Sequence, residues 1–337
     1  MKYRLLGNSG LRVSEIALGT MTFGTEWGTG ADKAESQKIF DVYANAGGNF
    51  IDTANRYTEG TSEKYVGEYI KAERDHFVLA TKYSLQDKSG DLNFAGNHRK
   101  NMMRSVEGSL QRMQTDYIDL LWLHAWDFTT SVEEVLRGLQ DLISAGKVHY
   151  IAISDTPAWV VARANTIAEL RGWAPFCALQ VEYSLLQRTP ERDLIPMAKA
   201  FNLALTPWAP LAGGALTGKY LKGETGRVSE NSSRRNERNT VIVSKLVELA
   251  EQLNVSPVQL ALKWTMQQDF CSIPIVGSRK HEQLAETIKA IDLQIPESIM
   301  SELNEVSKIE LGFPHDFLAS DGVKQILFGG EYANLKQ

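Results

Sequence analysis

The feature that most limits the fold of this chain is an alternation of short apolar runs with amphipathic helical patterns, repeated eight times. The runs are EIALGT (15–20), NFIDTA (49–54), FVLATKY (77–83), YIDLLWLHA (117–125), YIAISD (150–155), CALQVEY (177–183), LALTPWAP (203–210) and CSIPIVG (271–277). Each is rich in Ile, Val, Leu or aromatic residues, as parallel strands covered on both faces require. Eight such strands close a barrel. The expectation is therefore an α/β fold, a (β/α)8 TIM barrel with right-handed connections, spanning residues 1–337 as a single domain. An open doubly wound sheet would ask for a G-x-G-x-x-G turn after an early strand, and LGTMTFG (18–24) does not supply one.

The segments between the runs carry helical signals. In 129–147, Val132, Val135, Leu136, Leu139, Leu142 and Ile143 follow a 3.6-residue period. Thr130 with Glu133 reads as a capping box and Gly146 as the stop. Val106, Leu110 and Met113 form a similar stripe, and Thr156-Pro157 and Ser256-Pro257 read as N-cap plus first-turn proline. Ahead of the barrel, KYRLLGNSGLRVS predicts a hairpin about Asn8-Ser9-Gly10 that plugs the N-terminal end. Two segments break the alternation. Residues 211–240 predict a long functional loop after the seventh strand. Residues 311–337, with Phe313, Phe317, Leu318, Ile326, Leu327 and Phe328, are apolar enough to predict docking on the body.

Composition narrows the function classes. A hydrophobic fraction of 43% with 23% charged residues supports a large core. The net charge of -5 argues against nucleic-acid binding, and the one basic cluster, Arg234, Arg235 and Arg238, lies in a polar stretch. No apolar run reaches the roughly 18 residues of a membrane span, and MKYRLLGNSG lacks a signal peptide's apolar core. Cys177 and Cys271 both fall in apolar runs, which predicts buried thiols rather than a disulfide. The expectation is a cytoplasmic protein with no nucleic-acid or membrane partner; the oligomeric state stays open.

In a barrel of this kind chemistry collects at the C-terminal ends of the strands. Those ends carry Asp52 and Tyr57, Lys82, His124, Ser154 and Asp155, Gln180, and Trp208. One strand-end acid is ordinarily a cap, and one lysine ordinarily solvated. An acid, a phenol, an amine and an imidazole from three neighbouring strands make a stronger pattern. A free phenol has a pKa near 10, too high to give up a proton readily at neutral pH. An ammonium a few ångströms away favours the phenolate, and a lowering of about 2 units corresponds to roughly 2.7 kcal/mol. A carboxylate on the same lysine keeps it charged, and the imidazole can hydrogen-bond a substrate oxygen. Such a set suits reduction of a carbonyl. Metal chemistry finds no H-x-x-x-H or C-x-x-C, and a serine hydrolase finds no G-x-S-x-G elbow.

The motifs FIDTANRY, LATKY, DLLWLH, LQVEYSLLQR, PWAPLAGGALTGKY and IVGSRKHEQLAE make the chain resemble the aldo-keto reductase superfamily over nearly its whole length. The wording is most similar to the branch of bacterial general reductases and potassium-channel β subunits. That resemblance implies a catalytic tetrad of Asp52, Tyr57, Lys82 and His124, with NADPH or NADP+ lying across the barrel mouth without a Rossmann domain. It implies ribose contacts at Thr20 and Met21, carboxamide contacts at Ser154, Asp155 and Gln180, and stacking on Trp208. It places Leu211, Gly213, Lys219 and Arg227 along the pyrophosphate, and Gly277, Ser278, Arg279, Gln283 and Glu286 at the adenosine. Arg279 sits where the family binds the 2′-phosphate, which favours NADPH over NADH. Asp155 departs from the family's usual Asn, and Thr287 from another usual Asn.

The implied activity is NADPH-dependent reduction of aldehydes or ketones, Tyr57 serving as general acid. Two rivals stand beside it: a cofactor-binding sensor like the channel β subunits, and a Schiff-base enzyme using Lys82. Trp27, Tyr83, Trp126, Phe313 and Phe317 are the expected walls of an apolar substrate pocket.

Overall fold

A computed structural model of the protein describes residues 1–335 other than 225, 227 and 230. The chain opens with strands β1 (Tyr3–Leu5) and β2 (Arg12–Ser14), paired antiparallel with Tyr3 opposite Ser14. This is the expected hairpin. Leu6 and Val13 are fully buried and pack with Phe50, Val78, Leu120 and Ala178, so the hairpin closes the N-terminal end of the barrel. Gly7 is required there: its φ is +59° and a Cβ would lie 2.1 Å from the Cys177 carbonyl.

The barrel strands are β3 (Ala17–Gly19), β4 (Phe50–Asp52), β5 (Val78–Tyr83), β6 (Ile118–Leu123), β7 (Val148–Ser154), β8 (Ala178–Glu182), β9 (Ala204–Trp208) and β10 (Ile275–Val276). They run parallel in the order β10-β3-β4-β5-β6-β7-β8-β9. The ring is drawn together by Leu205 N–H donating to the Cys271 carbonyl and Ile273 N–H donating to Leu205, each at 2.8 Å. All eight apolar runs supply a strand, and helices cover the outside. These are α1 (Lys33–Asn45), α2 (Thr61–Ile70), α3 (Arg99–Met113), α4 (Val132–Ser144), α5 (Ala158–Arg171), α6 (Leu194–Ala200), α7 (Glu237–Gln252), α8 (Pro257–Met266), α9 (His281–Ile288) and α10 (Glu297–Ser307).

Strand alternation sets what faces inward. Phe50, Val78, Ala80, Leu120, Trp122, Ala152, Ala178 and Ala204 fill the lumen, while Ile51, Leu79, Tyr83, Leu121, Leu123, Ile153 and Leu205 meet the helices. Continuing the inward series to the C-terminal rim reaches Asp52, Lys82, His124, Ser154, Gln180 and Trp208. Pleat parity alone therefore brings these six to one mouth.

Local details correct several expectations. The N-cap of α4 is Ser131, which accepts from Glu134 N–H, whereas Thr130 N–H and Oγ1 donate to the Asp127 carboxylate. Pro157 caps α5, because the Thr156 hydroxyl donates back to the Ser154 carbonyl. Ser256 does make a capping box with Gln259 ahead of Pro257. Cys177 is a buried free thiol, while Cys271 is free but only partly buried. Within the span 211–240, short 3-10 turns occupy Ala212–Thr217 and Lys219–Lys222, and α7 begins inside the predicted loop at Glu237. Three arginines among its described residues have structural partners. Arg234 pairs with Glu182, Arg235 lies 4.9 Å over the Tyr220 ring, and Arg238 donates to the Leu186 and Ser307 carbonyls.

The C-terminal tail differs most. It forms α11 (His315–Ala319) and α12 (Asp321–Leu327), but its apolar side chains stay in solvent, with Phe313 84% and Ile326 82% exposed. Apolar composition does not bury a segment that has no complementary groove to fill. Phe313 and Phe317 are thus not walls of an enclosed pocket. Neither is Tyr83, which points outward, is fully buried and donates to the Asn97 carbonyl at 3.4 Å.

Candidate active site

Lys82 is the hub of the mouth. Its side chain is fully buried, and Nζ donates to Asp52 Oδ2, to the Thr53 carbonyl at 2.9 Å and to the Tyr57 hydroxyl at 3.2 Å. The other Asp52 oxygen accepts from Gln180 Nε2 at 3.2 Å. Tyr57 stands edge-on to His124 (centroids 6.0 Å apart) and to Trp27 (6.5 Å). Backbone geometry holds the phenol there. The turn after it puts two non-glycine residues in left-handed conformations, Thr58 at φ +45° and Glu59 at φ +54°, an arrangement that persists only when over-determined. The determinants are the Thr58 hydroxyl, which donates to the Phe23 carbonyl at 2.5 Å, and Tyr57 N–H on the Ala54 carbonyl. The four residues singled out at the strand ends are therefore together.

Electrostatics refine the expected roles. Burial pushes the Tyr57 phenol above its ordinary value near 10; Lys82 pulls it back, and Asp52 opposes the lysine. The expectation of a net depressed phenol is corrected here, because desolvation outweighs the ammonium. Burial likewise pushes Asp52 up, against the pull of Lys82. On Lys82 burial works downward, but Asp52 and Tyr57 reverse it, so the ammonium is held charged. His124 is pulled down to about 3 by burial and by Lys82, which makes it a neutral imidazole at physiological pH.

The other expected positions fall into two groups. Ser154, Asp155, Gln180 and Trp208 line the mouth, and Trp208 Nε1 donates to Asp155 Oδ1 at 3.1 Å, a link the sequence did not suggest. Asp155 has φ +40°, a conformation that Asn and Asp tolerate better than most residues, so the departure from Asn is sterically mild. Thr20 is buried and its hydroxyl is spent on the Asp52 carbonyl at 3.0 Å, so it braces β3 against β4; Met21 follows it at the rim.

Leu211, Gly213 and Lys219 sit on the turns after β9, with Gly213 and Gly214 at φ +66° and +96°. Gly277 follows β10 and Ser278 Oγ donates to the Lys280 carbonyl. Arg279 is exposed two residues before α9, and Gln283 within α9 is exposed as well. The carboxylate of Glu286 is already engaged by Gln259 and Lys289, each at 2.7 Å. Arg227 lies outside the described residues.

One contributor escaped the sequence reading. Glu35 Oε1 accepts from both His281 N–H (2.8 Å) and His281 Nδ1 (2.9 Å), so α1 caps α9 beside Arg279. An i-to-i+246 pairing leaves no local signal.

Residues 15–308 match the aldo/keto reductase family. Norsolorinic acid reductase of Aspergillus flavus is 39% identical over 94% of this chain and 84% of its own length. An NADP(+) aryl-alcohol dehydrogenase of Phanerodontia chrysosporium is 39% identical over 95% and 89%. A putative aryl-alcohol dehydrogenase of Saccharomyces cerevisiae is 34% identical over 93% and 88%. The chain belongs to the aldo/keto reductase family. It is an oxidoreductase acting on the carbonyl–alcohol couple with a nicotinamide cofactor. The mouth fits such a group: Ser154 Oγ and His124 Nδ1 are buried polar atoms with no partner among the described residues. Gly214 leaves open space where a Cβ would stand, and Arg279 makes no side-chain bond among the described residues. No helix among the described residues is long and apolar enough to cross a membrane.

Proposed function

We propose that the protein reduces aldehydes or ketones, aryl carbonyls foremost, using NADPH, with the whole chain acting as one barrel domain. The observation that carries this reading is the single Lys82 ammonium shared by Asp52 and the Tyr57 hydroxyl at the barrel mouth. Bound NADPH would supply the hydride. Ser154, Asp155 and Gln180 would hold its carboxamide end, Trp208 its ring, residues 211–219 its pyrophosphate and Arg279 its 2′-phosphate. The aryl preference draws on the aromatic rings beside Tyr57, Trp27 and His124, and on the name of the aryl-alcohol dehydrogenase relative.

Tyr57 serves as general acid. A phenol held high by burial is protonated at neutral pH but is a weaker acid than a free one, so donation depends on stabilising the phenolate that forms. The phenolate it leaves behind is stabilised by the Lys82 ammonium 3.2 Å away. Asp52 keeps that ammonium charged and Gln180 keeps Asp52 oriented. His124, neutral, offers a hydrogen bond to the carbonyl oxygen without competing for the proton. A charged lysine is a poor nucleophile, which disfavours a Schiff-base reaction.

The test is oxidation of NADPH at 340 nm with aryl and alkyl aldehydes, repeated with Tyr57→Phe. The variant should keep cofactor affinity and lose at least ~10²-fold in turnover. Near-normal turnover would remove Tyr57 as the acid. Alkyl aldehydes reduced as well as aryl ones would remove the aryl preference.

A further inference from the structure

Behind the loop that carries Tyr57 lies a second polar cavity of about 240 Å³, bounded by that loop and by the segment joining β5 to α3. Its floor is Asn55, only 2% exposed, whose side-chain nitrogen and oxygen both lack a partner among the described residues. Arg104 Nε and Asp87 Oδ1, on the wall, lack a hydrogen-bond partner as well. A buried polar group left unpaired costs roughly 1–3 kcal/mol, so two donors (Asn55 Nδ2, Arg104 Nε) and two acceptors (Asn55 Oδ1, Asp87 Oδ1) about one space call for an occupant.

Charge indicates its sign. Two of the lining ions are already neutralised: Arg112 by Glu63, and Glu59 by Arg56. That leaves Lys88 and Arg104 against Asp87, a surplus of one positive charge. Arg104 spends Nη1 on Asp87 at 2.8 Å and Nη2 on Asn101 at 2.7 Å, which leaves Nε for the cavity. Phe94 supports both cations, 4.1 Å from Arg104 and 4.7 Å from Lys88. Size indicates the class. The space exceeds the ~30 Å³ share of one water but falls below the ~300 Å³ at which organic-ligand pockets begin.

We propose that this cavity is a binding site for a small oxyanion, phosphate or a short carboxylate, held by Asn55 Nδ2, Arg104 Nε and Lys88. The site is distinct from the cofactor's proposed anionic subsites, which lie after β9 and β10. It also adjoins the catalytic loop: Asn55 N–H donates to the Lys82 carbonyl at 3.3 Å, and Tyr57 follows two residues later. Binding would therefore stiffen the turn that presents the phenol.

The experiment is calorimetric titration of the protein saturated with NADP+, in chloride-free HEPES, with inorganic phosphate and, separately, with malonate. The expected result is saturable binding of one anion per chain. Asn55→Leu and Lys88→Ala should each weaken it at least tenfold, and Arg279→Ala should leave it unchanged. Lys88 is exposed, so its variant folds even if Asn55→Leu does not. Binding of phosphate alone would assign a phosphate site, and binding of both probes a general oxyanion site. No saturable binding of either anion, or binding indifferent to Lys88→Ala and to Asn55→Leu, overturns the proposal.

Discussion

Thr81 and Lys82 are neighbours on β5, yet each meets a buried carboxylate on an opposite face of the sheet. Outward, Glu63 is fully buried and accepts from the Thr81 hydroxyl and from Arg112 Nε, both at 2.5 Å. Inward, Asp52 accepts from Lys82 and Gln180. Both are desolvated acids paired with a cation. They differ in what surrounds them. Around Glu63 the donors come from β5 and α3 and tie α2 to both, closing the network. Around Lys82 a phenol shares the ammonium, and Ser154 Oγ and His124 Nδ1 have no protein partner among the described residues. A closed network holds elements together; an open one at a mouth is left for a ligand to complete.

The contrast predicts which variants unfold the protein and which silence it. Arg112→Met should have the largest effect on stability, since it leaves a buried carboxylate without its cation. The cost should be roughly 3–5 kcal/mol by urea unfolding, with kcat of the folded fraction within a fewfold of wild type. Lys82→Met should do the reverse. Burial already pushes the Asp52 carboxyl up, so it takes a proton when the ammonium goes, which limits the loss of stability. Turnover should fall by at least ~10²-fold. The Tyr57 phenol should rise further above 10 once the cation that opposes burial is gone, and alcohol oxidation should then demand strongly alkaline conditions. Measurement of kcat against pH in both directions checks this; an unchanged profile would mean that the lysine does not tune the tyrosine.

Smaller effects sharpen the open side. Arg279→Ala should weaken NADPH by about ten- to a hundredfold, the loss of a charge-assisted contact worth roughly 1.5–3 kcal/mol, while NADH affinity barely moves. Equal weakening of both cofactors would take the 2′-phosphate away from Arg279. A pH-dependent change concerns His124. Its folded pKa of about 3 lies below the unfolded value near 6.5, so the unfolded chain binds the proton more readily. The stability contributed by neutral His124 is complete above pH ~6.5 and is lost as pH falls toward 3. In His124→Gln that increment of acid sensitivity should disappear from the difference between the two urea-unfolding curves across this window.

Much of the site was legible because its residues stand at strand ends, where an apolar run meets a polar residue in plain view. Asp52, Lys82 and His124 announce themselves that way, and a pleat of period two guarantees that they share a face. The direction of the Tyr57 shift was not legible. It depends on how much water the fold excludes from the phenol, and adjacency to a lysine in a motif says nothing of that. The tail was misread for a related reason: six apolar side chains describe a surface that wants cover, but whether cover exists depends on the shape of everything else.

The sequence alone determined the eightfold repeat, the barrel, the plugging hairpin and the candidate tetrad, because each rests on local periodicity or on residue type at a strand end. Only the tertiary structure decided that Gln180 holds Asp52, that Trp208 bonds Asp155, that Glu35 caps α9 and that Asn55 floors a second cavity. Those pairings join residues 53 to 246 positions apart or depend on space left unfilled. Hydrogen bonds and packing act over a few ångströms in space whatever the separation along the chain, so no local pattern records them.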